Sequence, residues 1–532
     1  MRVLILAASL AALSAQAGGP LRLSVEDYRD RAAAAWVGQM AGVEWGMPTE
    51  LRAKGRMLGE KEVPEWRGEW INRAFGNDDL FVEMAFLRTL EVRGLDVTSR
   101  EAGIDFANTT FGLCGANYTG RNNLRLGIAP PDCSHPSFNR CADDLDWQIE
   151  ADFSGIISPG LPTEVVRLSR TFGPLVGYGD AVYGGAFVGA MYAAAFFRDD
   201  PEGIVREALK AIPAESRYAE MVRNVLKWHA ESPDDWMSCW EKANAAYAMA
   251  PEVRRNGLNL TPGSTAISNG ACVLIGLLYG GGDPDRTIVI SMRCGWDSDC
   301  NPSNAAGVLF TTMGLKRVPV RFAAALDRTK AFNGSPYDFN GLLAVCERLA
   351  RETVKRAGGR IQKGSDGREW MVIPRRPVSP GKAVSSWDPP PPKGSRYSAE
   401  ERAKISRGAF SGPQKAIADA VAAKQQLVTI PQGVFALEEP KDGAAFIVIR
   451  GVKNLRIVGS WAKYVCPSRK PFLEIVDCDN VIVEAMKIDY PGAEDVDPGF
   501  PVRLIRSTNV KFDDVTCRGK HVAPDAVDSR KL

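Results

Sequence analysis

A proline-rich stretch divides the chain into two texts that cannot share one fold. Between Pro374 and Arg396 it contains PRRPVSPGK and WDPPPPKGS. Proline has no N–H to donate, so regular helix and sheet are excluded there, and residues 365–404 read as a linker or an extended wrap over the surface. Before it, from about residue 25 to 362, apolar residues recur at helical spacing in segments rich in Ala, Met and Leu, broken by Gly, Pro and Asn. Val25 to Met40, Asp79 to Arg93, Gly185 to Phe197, Ala266 to Tyr279 and Asn304 to Met313 are the clearest. Strand-like alternation is scarce, so residues 24–364 are expected to form an all-α, multi-helix domain.

The text after the prolines is different. Gly412 to Lys424 reads as one amphipathic helix, and short strands follow. Three of them share a phrase: GVKNLRIVG (451 to 459), DCDNVIVEA (477 to 485) and RSTNVKFDD (506 to 514). Asn454, Asn480 and Asn509 stand 26 and 29 positions apart, a spacing suited to successive coils of a parallel β-helix. Leu455/Ile457, Val481/Val483 and Val510/Phe512 would then stack inward, with the Asn side chains forming a ladder at the turn. This resembles the start of pectate-lyase-like β-helix proteins, and the expected class is multidomain: a helical domain followed by a short right-handed parallel β-helix over 405–532. A small β-sandwich of unrelated strands is the alternative.

A chain of 532 residues is too long for one ordinary core. Lys and Arg (66) nearly balance Asp and Glu (64), which removes the electrostatic case for nucleic acid or an anionic membrane as a main partner. The opening MRVLILAASLAALSAQAGGP has one Arg, a short apolar run and small residues at Ala15 and Ala17. That is the pattern of a signal peptide over 1–17, cleaved after Ala17, and implies a secreted or periplasmic protein. Eleven cysteines then permit disulfides, with Cys133 and Cys141 close enough to close a small loop. Three histidines (His135, His229, His521) and no CxxC pair disfavour a zinc cage or a His-based relay.

Two acidic clusters stand at helix starts. Asn77-Asp78-Asp79 precedes LFVEMAFLRTLE, and Asp297-Ser298-Asp299-Cys300-Asn301 precedes PSNAAGVLFTTMG. Capping the helix explains one Asp at each start. Two adjacent carboxylates, repeated, crowd four negative charges where capping asks for two, and a cation would relieve that cost. Oxygen donors without His or Cys clusters suit Mg, Mn or Ca rather than zinc. Elsewhere, Glu150 and Asp152 in WQIEADF fit a place near the site and fit the acidic face of a helix equally well, and Trp236 and Trp240 read as core packing.

These words resemble the ADP-ribosylglycohydrolase family, whose Thr-Asp-Asp and Gly-x-Asp-Thr-Asp-Thr-like motifs together hold two divalent ions. Here NDD (77–79) and GWDSDCN (295–301) take those places. GVEWGMPTE (42–50) is similar to the family's first helix ending, with Glu50 at the acidic position, and VYGGAFVGAMYAAAF (182–196) is similar to the Gly-rich turn and Ala-rich helix beside its substrate pocket. The resemblance implies a pair of Mg2+ or Mn2+ ions held by Asn77, Asp78, Asp79, Asp297, Asp299 and Cys300. It also implies catalytic roles for Glu50 and Asp299, and a substrate edge at Asp180, Tyr183, Gly184 and Gly185. The chain departs from the pattern at Asn77 for Thr, at Glu44 for Asp, and at Cys300, where a soft sulfur replaces a hard oxygen.

The expected reaction is metal-dependent hydrolysis of an N- or O-glycosidic bond at an ADP-ribosyl or related ribosyl group. Such a reaction passes through an oxocarbenium-like state and needs a water aimed at the anomeric carbon. Two rivals are a secreted hydrolase of a carbohydrate polymer, with the C-terminal region binding the polysaccharide, and a non-catalytic binding scaffold.

Overall fold

Glycines at 38, 42 and 46, one turn apart on the first helix, bring two backbones into contact. In the computed structural model, which describes residues 19–252, 264–405, 412–430, 434–440, 445–492 and 501–522, a Cβ at Gly38 would meet the Ala306 backbone. One at Gly42 would meet Pro302, and one at Gly46 would meet Ser298 and Asp299. No side chain fits between the Val25–Gly46 and Cys300–Met313 helices, so the second acidic loop is pressed onto the end of the first helix. Ser24 starts that helix by accepting the Asp27 N–H at 2.9 Å. The expected signal peptide, 1–17, lies outside the described residues.

The described residues fall into two compact units, Met1–Tyr118 with Pro130–Ser395 and Thr119–Ala129 with Arg396–Leu532. The first is helical, as expected, with helices Asp78–Arg93, Asp180–Ala195 and Ala266–Tyr279 among those around the site. It also holds a small antiparallel sheet that the sequence did not suggest: β1 (Leu21–Ser24), β2 (Arg360–Lys363) and β3 (Glu369–Ile373), in the order β1-β3-β2.

The expected linker therefore opens in the β2–β3 turn and takes in strand β3, and its proline-rich part is bound rather than free. Arg170 donates to the Ser379 carbonyl (3.0 Å), and Tyr183 Oη accepts the Val384 N–H (2.7 Å). His135 Nε2 meets the Pro390 carbonyl at 2.8 Å. The Asp132 carboxylate accepts the Lys393 and Ser395 N–H groups at 2.9 and 2.6 Å. Proline removes donors from this stretch, so the carbonyls and the few remaining amides are satisfied by the helical unit.

In the second unit, strands β4 (Leu427–Thr429), β5 (Val434–Ala436), β6 (Ile447–Arg450), β7 (Lys453–Val465), β8 (Leu473–Val476), β9 (Asp479–Asp489), β10 (Val502–Ile505), β11 (Thr508–Cys517) and β12 (Lys520–His521) form two sheets. One runs β10-β8-β6 and is parallel throughout; the other runs β12-β11-β9-β7-β4, with β5 also beside β7 and only β12 antiparallel. Leu455 pairs with Val481 and Val481 with Val510, while Ile457 pairs with Val483 and Val483 with Phe512. The residues read as stacked from their spacing thus lie in one register. Asn454, Asn480 and Asn509 all adopt left-handed backbone, and Asn480 donates to Asn454 Oδ1 at 2.7 Å. Helix Pro413–Ala422 packs Ile417 and Ala420 onto this core.

Residues 119–129, expected within the helical domain, belong to this unit. The Tyr397 N–H donates to the Gly127 carbonyl at 2.9 Å, and Leu126 packs on the strand core. Their helical periodicity carries no mark of which core they join. No disulfide joins the cysteines; Cys133 Sγ donates to the Pro174 carbonyl at 3.2 Å instead of bonding Cys141. Among the described residues no helix is long and apolar enough to cross a membrane.

Candidate metal centre

Asn77 follows the 3-10 helix Gly68–Gly76 and, itself extended, caps the Asp78–Arg93 helix, its Oδ1 accepting the Asp79 N–H at 3.0 Å. That leaves Asp78 half-buried and Asp79 fully buried at the positive end of the helix. The second acidic segment arrives through a kink. Gly295 and Trp296 both take positive φ (73° and 57°), and the Trp296 ring is fixed by its Nε1 donating to Asn244 Oδ1 at 3.0 Å. A Cβ at Gly295 would strike the Ala53 and Arg56 carbonyls, so only glycine fits. Asp297 follows half-buried, and Asp299 and Cys300 buried, at the start of the Cys300–Met313 helix.

The two segments meet. Cys300 Sγ donates to Asp79 Oδ1 at 3.1 Å, across 221 positions of sequence. Asp297, Asp299 and Cys300 bring potential ligand atoms within 4.8 Å of one another. Burial raises the Asp79 carboxyl well above the usual range, with Asp78 and Asp297 adding to the effect. Burial and then Asp297 do the same to Asp299. Asp78 is raised by burial and by Asp297. Oxygens Asp79 Oδ2, Asp297 Oδ1 and Asp299 Oδ1 are buried with no hydrogen-bond partner in the chain. Buried acceptors of this kind are costly unless something outside the chain meets them. Hard carboxylate oxygens converging without His fit a divalent cation of the Mg or Mn type.

Cys300 and Asn77 sit differently from the expected ligand roles. Burial holds the Cys300 thiol protonated, and four aspartates reinforce it. A neutral thiol donating to Asp79 orients a carboxylate rather than coordinating a hard ion. Asn77 Oδ1 already serves the helix cap. Glu50 stands exposed at the mouth, and its carboxyl is raised by partial burial first and then by Asp297 and Asp78. It faces the same charges as the expected ligands.

Sequence reasoning raised Glu150 but missed the acids beside it, Asp144 and Asp146. Asp144 and Glu150 are buried and Asp146 half-buried, all three raised by burial, and each feels Asp78, Asp297 or both. Asp146 is pushed up to about 7, and its Oδ2 accepts the Asn117 N–H at 2.6 Å. Glu150 accepts from Asn117 Nδ2. Of the two readings of Glu150 and Asp152, the solvated helix face is excluded, since both are wholly buried. Asp152 is bound by Tyr192 Oη (2.7 Å) and Asn304 Nδ2 (2.9 Å) and pushed up to about 8. The signal was present in DDLDWQIEAD: acids alternate there with Leu, Trp and Ile that belong in a core.

The expected substrate edge is occupied by packing. Asp180 accepts the Tyr218 N–H at 2.9 Å and is pushed up to about 6, mainly by burial. Tyr183 Oη is held by the Val384 amide of the proline-rich wrap. A Cβ at Gly184 would meet Gln148 and Tyr218, and one at Gly185 would meet Trp147. These glycines let two helical segments touch, which is why small residues stand there, rather than because a ligand approaches.

The helical unit thus gathers carboxylates from two helix starts, Asp79 with Asp297 and Asp299, into one cluster. Residues 24–358, more than half of the chain, match the family model described as ADP-ribosylglycohydrolase, and the chain belongs to that family. A solved structure titled "ADP-ribosylglycohydrolase-related protein complex" is similar at 15% identity and a TM-score of 0.38, with 62% of this chain covering 99% of that one. No curated protein matches the chain. Family membership suggests a glycosyl-hydrolase-like function.

Proposed function

We propose that the protein hydrolyses a glycosidic bond at an ADP-ribosyl or related ribosyl carbon and depends on divalent metal, Mg2+ or Mn2+, as a pair. The observation that carries this is the set of partnerless buried oxygens on Asp79, Asp297 and Asp299 beside the Cys300–Asp79 contact. Asp78, Asp79, Asp297 and Asp299 are the proposed ligands, with Asn77 capping the helix that carries the first two and Cys300 fixing Asp79. Metal ions bound there would supply positive charge that neutralises the carboxylates and holds vicinal sugar hydroxyls. Glu50, exposed at the mouth and raised in pKa, takes the proton of the attacking water, as a base poised nearer neutrality does best. Asp299 holds the ligand set together.

A carbohydrate polymer as substrate is the second reading. It is favoured by the additional carboxyls Asp144, Asp146 and Glu150, which burial holds toward the protonated form and which bring hydrogen-bonding groups but no cation for a diphosphate. In that reading the C-terminal strands are coils of a parallel β-helix that binds the polymer. The single phrase at 454, 480 and 509 and the shared parallel register support the β-helix. Residues 1–17 support export to the periplasm or beyond.

Asp299→Asn tests the reaction. Metal content and hydrolysis of ADP-ribosylated protein and of a polysaccharide panel should fall together, by at least a hundredfold in rate. Full activity in that variant would remove the mechanism.

A further inference from the structure

A cavity of about 450 Å³ in the helical unit is lined by none of the residues of the acidic centre. Its walls are Trp45 and Trp66, and its rim carries Glu60, Glu65, Arg293 and Arg321. We propose that it is a subsite for neutral carbohydrate, taking the non-reacting part of a glycan whose scissile bond lies at the metal centre. In its purpose it rests on the glycosidic reading; in its geometry it stands alone.

Four observations carry the proposal. The volume is that of ordinary small-molecule sites, roughly 300–1,000 Å³. Both indole N–H groups are spent on backbone: Trp45 Nε1 donates to the Pro64 carbonyl (2.7 Å) and Trp66 Nε1 to the Arg321 carbonyl (3.2 Å). The rings are thereby fixed, tilted by 43° with centroids 5.8 Å apart, and backed by Phe322 at 5.6 Å from Trp66. What they offer a ligand is apolar ring face, which suits the C–H face of a sugar.

The rim is charged in both signs. Arg321 is paired with Asp285, and Arg293 lies 3.4 Å from Glu60 while its guanidinium covers Trp236. Three carboxylates and two guanidinia line the cavity, so there is no excess positive charge for a phosphate. There are both acceptors and donors for hydroxyls.

Position supplies the last argument. Trp45 directly precedes Gly46, which lies against Ser298 and Asp299, and Arg293 stands four residues before Asp297. The Leu58 N–H donates to the Arg293 carbonyl at 2.9 Å, and Arg293 Nε returns to the Leu58 carbonyl at 3.1 Å. The chain segments that lead to Glu50 and to Asp297 thus also line the cavity. Binding energy from a remote sugar is what a glycosidase uses to hold the reacting unit in place.

Isothermal titration of the full chain with cellotriose, xylotriose and arabinotriose, and with ADP-ribose and hexaproline as contrasts, tests it. The wild type and Asp299→Asn should bind at least one trisaccharide equally, since the subsite needs no metal. Glu65→Ala, an exposed rim change, and Trp66→Ala should each weaken that binding at least tenfold. Unchanged melting by circular dichroism in Glu65→Ala keeps the result readable even where Trp66→Ala loosens the fold. Silence across all three sugars overturns the subsite, as does hexaproline binding that Trp66→Ala removes or ADP-ribose binding that Glu65→Ala removes. Sugar binding retained beside unaltered hydrolysis in Asp299→Asn would sink the proposed reaction and leave the subsite standing.

Discussion

The Leu51 amide donates to the Trp296 carbonyl at 3.1 Å, and both residues hold left-handed backbone, φ 54° and 57°. Each is the chain neighbour of an acid at the centre, Glu50 and Asp297. Non-glycine residues in that region carry strain of about 1–3 kcal/mol, tolerated only where surrounding structure fixes them. Here the clasp sets Glu50 across from Asp297. Leu51→Pro removes the donor and forbids the φ, so stability should fall by roughly 3 kcal/mol with activity lost. Leu51→Gly keeps both and should leave stability within about 1 kcal/mol of the parent. Urea unfolding and turnover measured side by side check the pair.

Cys300 presents a testable departure from the family pattern. Its thiol donates to Asp79 Oδ1, so Cys300→Ala should lower Mn2+ affinity by about tenfold, the usual effect of losing a partner that orients a ligand. Cys300→Ser restores a donor and should recover most of it. Titration calorimetry with Mn2+ decides; equal affinity in all three proteins would dismiss the orienting role.

Stability of the metal-stripped protein should fall as pH rises. Asp146 and Asp152 are raised to about 7 and about 8, and Asp79 and Asp299 lie well above their ordinary value. A carboxyl raised on folding favours the folded state fully below its unfolded value near 4. It loses that contribution as pH climbs through the folded value. In EDTA the melting temperature should therefore drop between pH 5 and pH 8. At pH 8 added Mg2+ or Mn2+ should restore it, because the ion takes the place of the protons. A flat EDTA profile would contradict the burial of these acids.

At Gly42 a methyl group would enter the Pro302 and Ser303 backbone. Backbone cannot rotate aside as a side chain does, so Gly42→Ala should cost about 1–3 kcal/mol or more. It should also weaken metal binding, since the displaced segment carries Asp299. Gly76→Ala has open space at its Cβ and serves as the control in thermal melts.

Much of this arrangement is legible in the chain. Asp78, Asp79, Asp297 and Asp299 declare themselves because two carboxylates at a helix start exceed what capping needs. Asn454, Asn480 and Asn509 do so because a repeated word at a repeated distance implies a repeated turn. Asp144 and Asp146 do not, and Glu150 does only as one of two equal readings, since an acid buried beside Trp147 and an acid on a wet helix face have the same local spelling. Gly184 and Gly185 mislead for a related reason: a glycine that admits Trp147 looks like one that admits a ligand. The β1–β3–β2 sheet joins residues 21–24 to 369–373, a pairing too distant for any local pattern to announce.

The separation between Asp79 and Cys300 bears on how the chain matures. Contacts this remote in sequence close late, after much local structure has formed. The pieces then being joined carry like charge. With a cation bound at the centre as proposed, the ion's abundance wherever the polypeptide is finished would set the yield of working molecules from each round of synthesis.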